Sequence, residues 1–181
     1  MATSASPLRC VVLLAGLLLG CATPPAAPRE APLLRLAPAA LGRTLALQQQ
    51  LVVEAHGQTQ RVDVLLEADP DAVRLALLNL GQTVARLEWD GRQLQATKAA
   101  WWPAEVRSER ILSDLQLVWW PADAVRAALP AGWALSASPA QRELAQGSEL
   151  VTVVRYLSPM IVELDNRRAG YRLRIESVPL N

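Results

Sequence analysis

"WWPAEVRSERILSDLQLVWWPA" (Trp101–Ala122) is the one stretch where the spacing of apolar residues changes from two to about 3.6. Val106, Ile111, Leu112, Leu115 and Val118 recur at helical spacing, with Glu105, Arg107, Glu109 and Arg110 mostly on the other side. The tetrad Trp-Trp-Pro-Ala opens the stretch and closes it. Pro103 and Pro121 suit the first turn of a helix, where the missing N–H would go unpaired anyway. The residue before each proline is pushed out of helical geometry, so Trp102 and Trp120 precede hinges at Pro103 and Pro121. The expectation is two short helices joined at a bend over about 103–130, the second within "PADAVRAALP".

On either side the period is two. "TLALQQQLVVEAHG" leads to a turn at His56-Gly57-Gln58, and "TQRVDVLLEAD" sets Val62, Val64 and Leu66 on one face. "AVRLALLNLG" does the same with Val73, Leu75 and Leu77 and turns at Gly81-Gln82. "TVARLEWDG" opposes Ala85, Leu87 and Trp89 to Arg86, Glu88 and Asp90. Its Asp90-Gly91 pair signals a type I′ hairpin, in which both central residues need positive φ. After the helices, "DNRRAG" is a turn, and "GYRLRIES" alternates Tyr171, Leu173 and Ile175 against Arg172, Arg174 and Glu176. About nine or ten short strands at hairpin spacing imply a mainly β, α+β chain: an antiparallel meander forming a single curved sheet, wet outside and apolar inside. Residues 41–181 read as that single domain, its apolar face covered by the helices as a lid.

The amino terminus has a different character. "MATSASPLR" carries one cation and no acid, "CVVLLAGLLL" (Cys10–Leu19) is a short apolar core, and Gly20-Cys21 follows. Residues 1–20 thus have the parts of a secretory signal. "LLGC" resembles the lipobox of bacterial lipoproteins, whose Cys is diacylated before cleavage ahead of it. That resemblance makes Cys21 the lipidation site, carrying acyl chains of the palmitate kind as a membrane anchor. Ala22, in place of an Asp, implies sorting to the outer membrane, lipid-anchored and facing the periplasm. With Cys10 removed, the mature chain has no second Cys and no internal disulfide. "ATPPAAPREAPLLRLAPAA" contains five prolines and makes 21–40 an extended Pro-rich tether reaching roughly 60 Å.

Composition narrows the function. The 181 residues are 51% hydrophobic and 19% charged, with a formal charge of +1, which offers no global reason to seek nucleic acid. The later chain has no apolar run long enough for a spanning helix. His56 is the sole His and reads as a solvated turn residue. No Gly-x-Ser-x-Gly, no Gly-rich loop after a strand and no His/Cys cluster occurs, so the chain reads as a non-enzyme without metal or cofactor.

Six Trp and no Phe call for an account. Each Trp is either ordinary core or the wall of an apolar cavity. On the second reading Trp89 faces Trp101, Trp102, Trp119 and Trp120, with one member of each adjacent pair entering the cavity and which one left open, across a groove that Leu75, Leu77, Leu87, Ile111 and Leu115 also line. Asp114 interrupts the apolar stripe of the first helix. It pairs with Arg110 one turn back, or latches the lid to an Arg or backbone N–H of the sheet.

Together, the acylated Cys, the leash, the antiparallel strands and the inserted Trp-Pro helical pair resemble the LolA/LolB superfamily of lipoprotein carriers and receptors. "ILSDLQLVWWPADAVRAALPAGW" and "VELDNRRAGYRLRIES" are most similar to small lipoproteins found beside aryl-polyene biosynthesis genes. The resemblance implies an incomplete antiparallel β-barrel, or half-barrel, with a helical lid and a concave face that holds acyl chains. It also implies a protruding apolar loop, for which "LLNLGQ" (Leu77–Gln82) is the candidate. The expected function is binding of acyl chains of a lipid, a lipoprotein or a lipid-linked product, for transport or insertion at the outer membrane, with a periplasmic carrier protein as a partner. The alternative is a non-catalytic scaffold lipoprotein that positions partner proteins there.

Overall fold

Two-residue alternation becomes one antiparallel sheet. The computed structural model describes residues 30–180; the signal 1–20, Cys10, Cys21 and residues 22–29 lie outside the described residues. The strands are β1 (Leu45–Ala55), β2 (Gln58–Ala68), β3 (Val73–Asn79), β4 (Gln82–Trp89) and β5 (Leu94–Lys98), then β6 (Trp133–Ala137), β7 (Gln141–Gln146), β8 (Glu149–Ser158), β9 (Ile161–Asn166) and β10 (Tyr171–Pro179). Between β5 and β6 come helices α1 (Ser108–Trp119) and α2 (Ala122–Ala128). The sheet order is β5-β4-β3-β2-β1-β10-β9-β8-β7-β6. Two meanders therefore meet at the β1–β10 pairing, and β5 and β6 are left as free edges of an open sheet. The first and last strands lie at the middle of the sheet, and the central helical segment spans the gap between the edges.

Register builds the inner face. Leu47, Leu66, Leu75 and Leu87 lie abreast across β1 to β4, as do Leu173, Leu164 and Val154 across β10, β9 and β8. All except the partly buried Leu173 are buried in one core cluster. The outer face carries ion pairs such as Arg74–Asp69 at 2.8 Å and Arg174–Glu163 at 2.9 Å.

Turn chemistry corrects one expectation. His56-Gly57 has φ of 52° and 74°, and Leu80-Gly81 has 49° and 77°, the double positive φ of a type I′ hairpin. Asp90-Gly91 does not form such a turn, because only Gly91 has positive φ. The Asp90 carboxylate instead accepts the amides of Arg92 and Gln93, each at 2.7 Å, which widens the connection. A Cβ at Gly91 would lie 3.2 Å from Pro38 Cδ, so the turn is also fitted to the N-terminal segment.

The helices differ from a lid with one wet face. α1 buries Ser108 and every residue from Leu112 to Trp119. It starts well after Pro103, because 101–107 is a run of turns in which Trp102 Nε1 donates to Val106 O at 2.9 Å. Pro103 is thus not in the first turn of α1. Pro121 is the N-cap of α2. α1 reaches side chains of β7, β8 and β10, and the sheet curves around it to do so.

The second face of α1 is buried because the chain ahead of β1 covers it. Residues 30–40, expected to be free tether, pack onto the helix, and the tether boundary at 40 does not hold for them. Ala31, Leu34, Leu36, Pro38 and Leu41 are buried while Arg35, Ala37 and Ala39 are exposed, the pattern of an extended strap. It ends in a short 3₁₀ turn, Pro38–Leu41. Proline interrupts the sequence signal without preventing burial, since this extended segment needs no ladder N–H.

Candidate functional site

The strap lies in a trough made by α1 and the β4 side of the sheet. Side chains, rather than a strand, satisfy its backbone. Leu34 N–H donates to Ser113 Oγ at 3.0 Å and Leu36 N–H to Gln116 Oε1 at 2.9 Å. Leu36 O accepts both Trp89 Nε1 at 2.8 Å and Gln116 Nε2 at 2.9 Å, and Ala37 O accepts Trp120 Nε1 at 3.1 Å. Gln116 is fully buried, so this pairing offsets the cost of desolvating its amide. Ahead of these contacts, Arg110 donates to Ala31 O, and Arg107 pairs with Glu30. A further buried indole donor, Trp119 Nε1, has no hydrogen-bond partner.

The C-terminal carbonyls of α1 are met from the other half of the sheet. Arg142 Nη1 donates to Leu117 O at 2.6 Å and Trp120 O at 2.7 Å, and Tyr156 Oη donates to Val118 O at 2.7 Å. Arg142 also stacks on the Tyr156 ring, 5.5 Å from its centroid. Burial lowers the Arg142 pKa from its ordinary value. A cation at a helix C-terminus is favoured by the dipole as well as by the free carbonyls.

Asp114 has the Arg110 partner raised as one alternative, and on the sheet it meets a tyrosine hydroxyl instead of the expected Arg or backbone N–H. Its carboxylate lies 4.0 Å from Arg110 and accepts the Tyr171 hydroxyl of β10. Tyr171 Oη in turn accepts Asn166 Nδ2 at 3.2 Å. Burial pushes the Asp114 carboxyl up to about 6, against the opposing pull of Tyr171 and Arg110. Burial, then the adjacent carboxylate, raises the Tyr171 hydroxyl above its ordinary value.

The expected groove residues are brought together, but not around an open groove. Leu75, Leu77, Leu87, Trp89, Leu115, Trp119 and Trp120 are buried in the core cluster, and Ile111 and Trp102 are partly buried against it. Trp101 is not among them: it is 63% exposed outside the sheet. α1 and the strap fill the space that the sequence reading left for ligand. Strap residues, Ser113, Gln116, Arg142 and Tyr171 were missed as contributors. The alternation Leu34-Arg35-Leu36 was the available signal for the strap.

Exposed apolar side chains lie at both ends of the strands: Leu157, Met160, Val178 and Leu180 around the β8–β9 turn and the end of β10, and Leu80 and Trp101 at the other end. Leu80, at the β3–β4 turn, is 95% exposed. The end of β5 lies beside that hairpin, with Ala99 N–H donating to Val84 O at 2.8 Å, and the Trp101 loop follows directly. Lys98 Nζ donates to Val106 O, and Arg107, just ahead of α1, holds Glu30. The strap therefore emerges at the same end as Leu80 and Trp101. At the same end of the strands as Leu80, an open polar cleft of about 740 Å³ lies between the β1–β2 and β9–β10 turns, lined by His56, Asp165, Arg167 and Arg172 among others. Among the described residues, no group of three His, Cys, Asp or Glu is placed to hold a metal, and no helix is long and apolar enough to cross a membrane.

A comparison with curated proteins finds no match. Residues 46–179, from β1 through β10 and so including both helices, match the model of a family described as protein of unknown function, DUF3261, and the chain belongs to that family.

Proposed function

We propose that the protein is a lipid-anchored half-barrel of the outer membrane, held by acylated Cys21, that handles acyl chains of a lipid or acylated protein at the periplasmic face of the bilayer. The observation carrying this reading is Leu80, an almost fully exposed leucine at a hairpin tip with positive φ. Leucine has no local reason to occupy that conformation, which Gly or Asn would adopt at lower cost. It fits the protruding apolar loop implied by the resemblance to lipoprotein receptors. Exposed Trp101 and the emerging strap at the same end support a bilayer-facing rim, since tryptophan favours the interface between apolar and wet surroundings.

Flotation of the mature Cys21→Ala chain with phosphatidylethanolamine–phosphatidylglycerol vesicles tests it. The unsubstituted rim should partition into the vesicle fraction, and Leu80→Ser with Trp101→Ser should cut partitioning at least tenfold, given about 1.5–3 kcal/mol per buried large apolar side chain. Equal flotation of the two chains would defeat the reading. The filled interior favours a second reading, a scaffold lipoprotein that positions partners and encloses no acyl chain. That reading predicts no acyl ligand under any condition.

A further inference from the structure

We infer that residues 30–37 are a displaceable plug, held in the trough by a carbonyl clamp of Trp89, Gln116 and Trp120, and that an acyl ester takes its place with the ester carbonyl at the clamp. This rests on the acyl-handling reading above and names both the ligand class and the device that closes the site.

Three features distinguish the strap from an ordinary core strand. First, the backbone hydrogen bonds of Leu34 and Leu36 go to side chains of α1 and to the Trp89 indole, and Ala37 O accepts the indole of Trp120, just past α1, beside the local amide of Ala40; none of them belongs to the sheet ladder. A departing strap leaves the sheet ladder intact. Second, three buried N–H donors converge on two successive carbonyls of an extended chain whose inward side chains are apolar. Two of them share Leu36 O, and the third reaches Ala37 O. Buried donors left unpaired are costly, so whatever replaces the strap must bring acceptors to the same place. An acyl ester has that form: a carbonyl acceptor ahead of a linear hydrocarbon. Leu34 and Leu36 occupy the space the hydrocarbon would fill. Third, Arg107, Arg110 and Glu30 hold the emerging end of the strap at the rim that bears Leu80 and Trp101. A ligand arriving from the bilayer meets that ion cluster before it meets the trough.

The test uses the mature Cys21→Ala chain with two probes of equal chain length, 1-monopalmitoyl glycerol and 1-O-hexadecyl glycerol. The first has an ester carbonyl and the second an ether in its place. Amide hydrogen exchange is followed at Leu34 and Leu36. The expected result is saturable binding of the ester, roughly tenfold tighter than the ether for one recovered hydrogen bond. Exchange at both amides should rise on binding while the β1–β10 ladder stays protected. Binding that leaves these amides protected would overturn the plug and keep acyl handling. Equal binding of ester and ether, with the amides exposed, would overturn the clamp's carbonyl role. Leu34→Asp, checked by near-UV dichroism for a native fold, loosens the strap in place. If the unsubstituted chain binds neither probe and this variant binds the ester, the strap is the closure. If neither chain binds either probe, the acyl-handling reading fails together with the inference.

Discussion

Asp114 shows how a residue that breaks a pattern is accommodated. A carboxylate inside an apolar stripe is tolerated because Tyr171 donates to it and Arg110 lies one helical turn away. The pairing is incomplete compensation, since burial still raises its pKa to about 6. An unfolded Asp titrates near 4. Between about pH 4 and 6 the native chain therefore holds this proton more tightly than the unfolded one, and the contribution of Asp114 to stability falls as pH rises through that window. Urea unfolding of Asp114→Asn should show that part of the pH dependence flattened and an unfolding free energy higher at pH 8 by up to about 3 kcal/mol. A variant curve parallel to the parent's would show that the carboxylate is not desolvated in solution. Leu80 is the converse case, a residue that obeys the hairpin's turn geometry only with an unsuitable side chain.

The first helix is a core element whose ends are held by other elements. Its amphipathic pattern marks the apolar stripe from Ile111 to Val118, while Val106 lies exposed ahead of the helix, and the polar residues Ser113, Asp114 and Gln116 are buried rather than solvated. Ser113 and Gln116 bind the strap, and Asp114 binds β10. The carbonyl end depends on Arg142, which reaches Leu117 O and Trp120 O from β7. Arg142→Met should leave those carbonyls buried and unpaired and cost about 2–3 kcal/mol in chemical denaturation. Arg126, which caps Leu135 O at the β6 edge from a more exposed position, should cost about 1 kcal/mol or less on the same substitution. Equal losses at the two sites would mean that the helix end is solvated. The hinge prolines divide in the same way: Pro121 caps α2, and Pro103 belongs to a turn segment.

The whole molecule is two meanders joined at their inner strands, with the middle of the chain bridging the outer ones. That topology brings the N-terminal strap onto the helical insertion some eighty residues later, as in the Leu34–Ser113 contact with a separation of 79. With Cys21 as the proposed anchor, the docked strap also shortens the leash. Nine residue steps separate Cys21 from Glu30, so the reach is about 32 Å at 3.5 Å per step, about half that of a tether ending at 40. With the proposed anchor in place, neutron reflectometry of the acylated protein on a supported bilayer should find the β3–β4 rim against the headgroups. No water layer thicker than about 30 Å should separate the domain from the lipid. A domain held farther off would require the strap to be released.

Much of this was readable from residues alone. Strand alternation, turn residues and the change of period at Trp101–Ala122 are local signals, set by side-chain direction within a few residues, and they marked the sheet, its approximate number of strands and the region of the helices. Leu75, Leu77, Leu87, Trp89 and Leu115 were likewise recognisable as apolar and inward-facing, whereas one of Trp119 and Trp120 was expected inside and both are buried. What they face was not, because it depends on contacts between segments about eighty positions apart, such as Leu36 with Gln116 and Ala37 with Trp120. No local pattern encodes that a proline-rich segment will lie against the far side of a helix. The same holds for Trp101, whose neighbour Trp102 packs against the core while it stays outside, although the two are identical in composition and adjacent in the chain. Periodicity decides which side chains turn inward, and long-range packing decides whether the inside is empty.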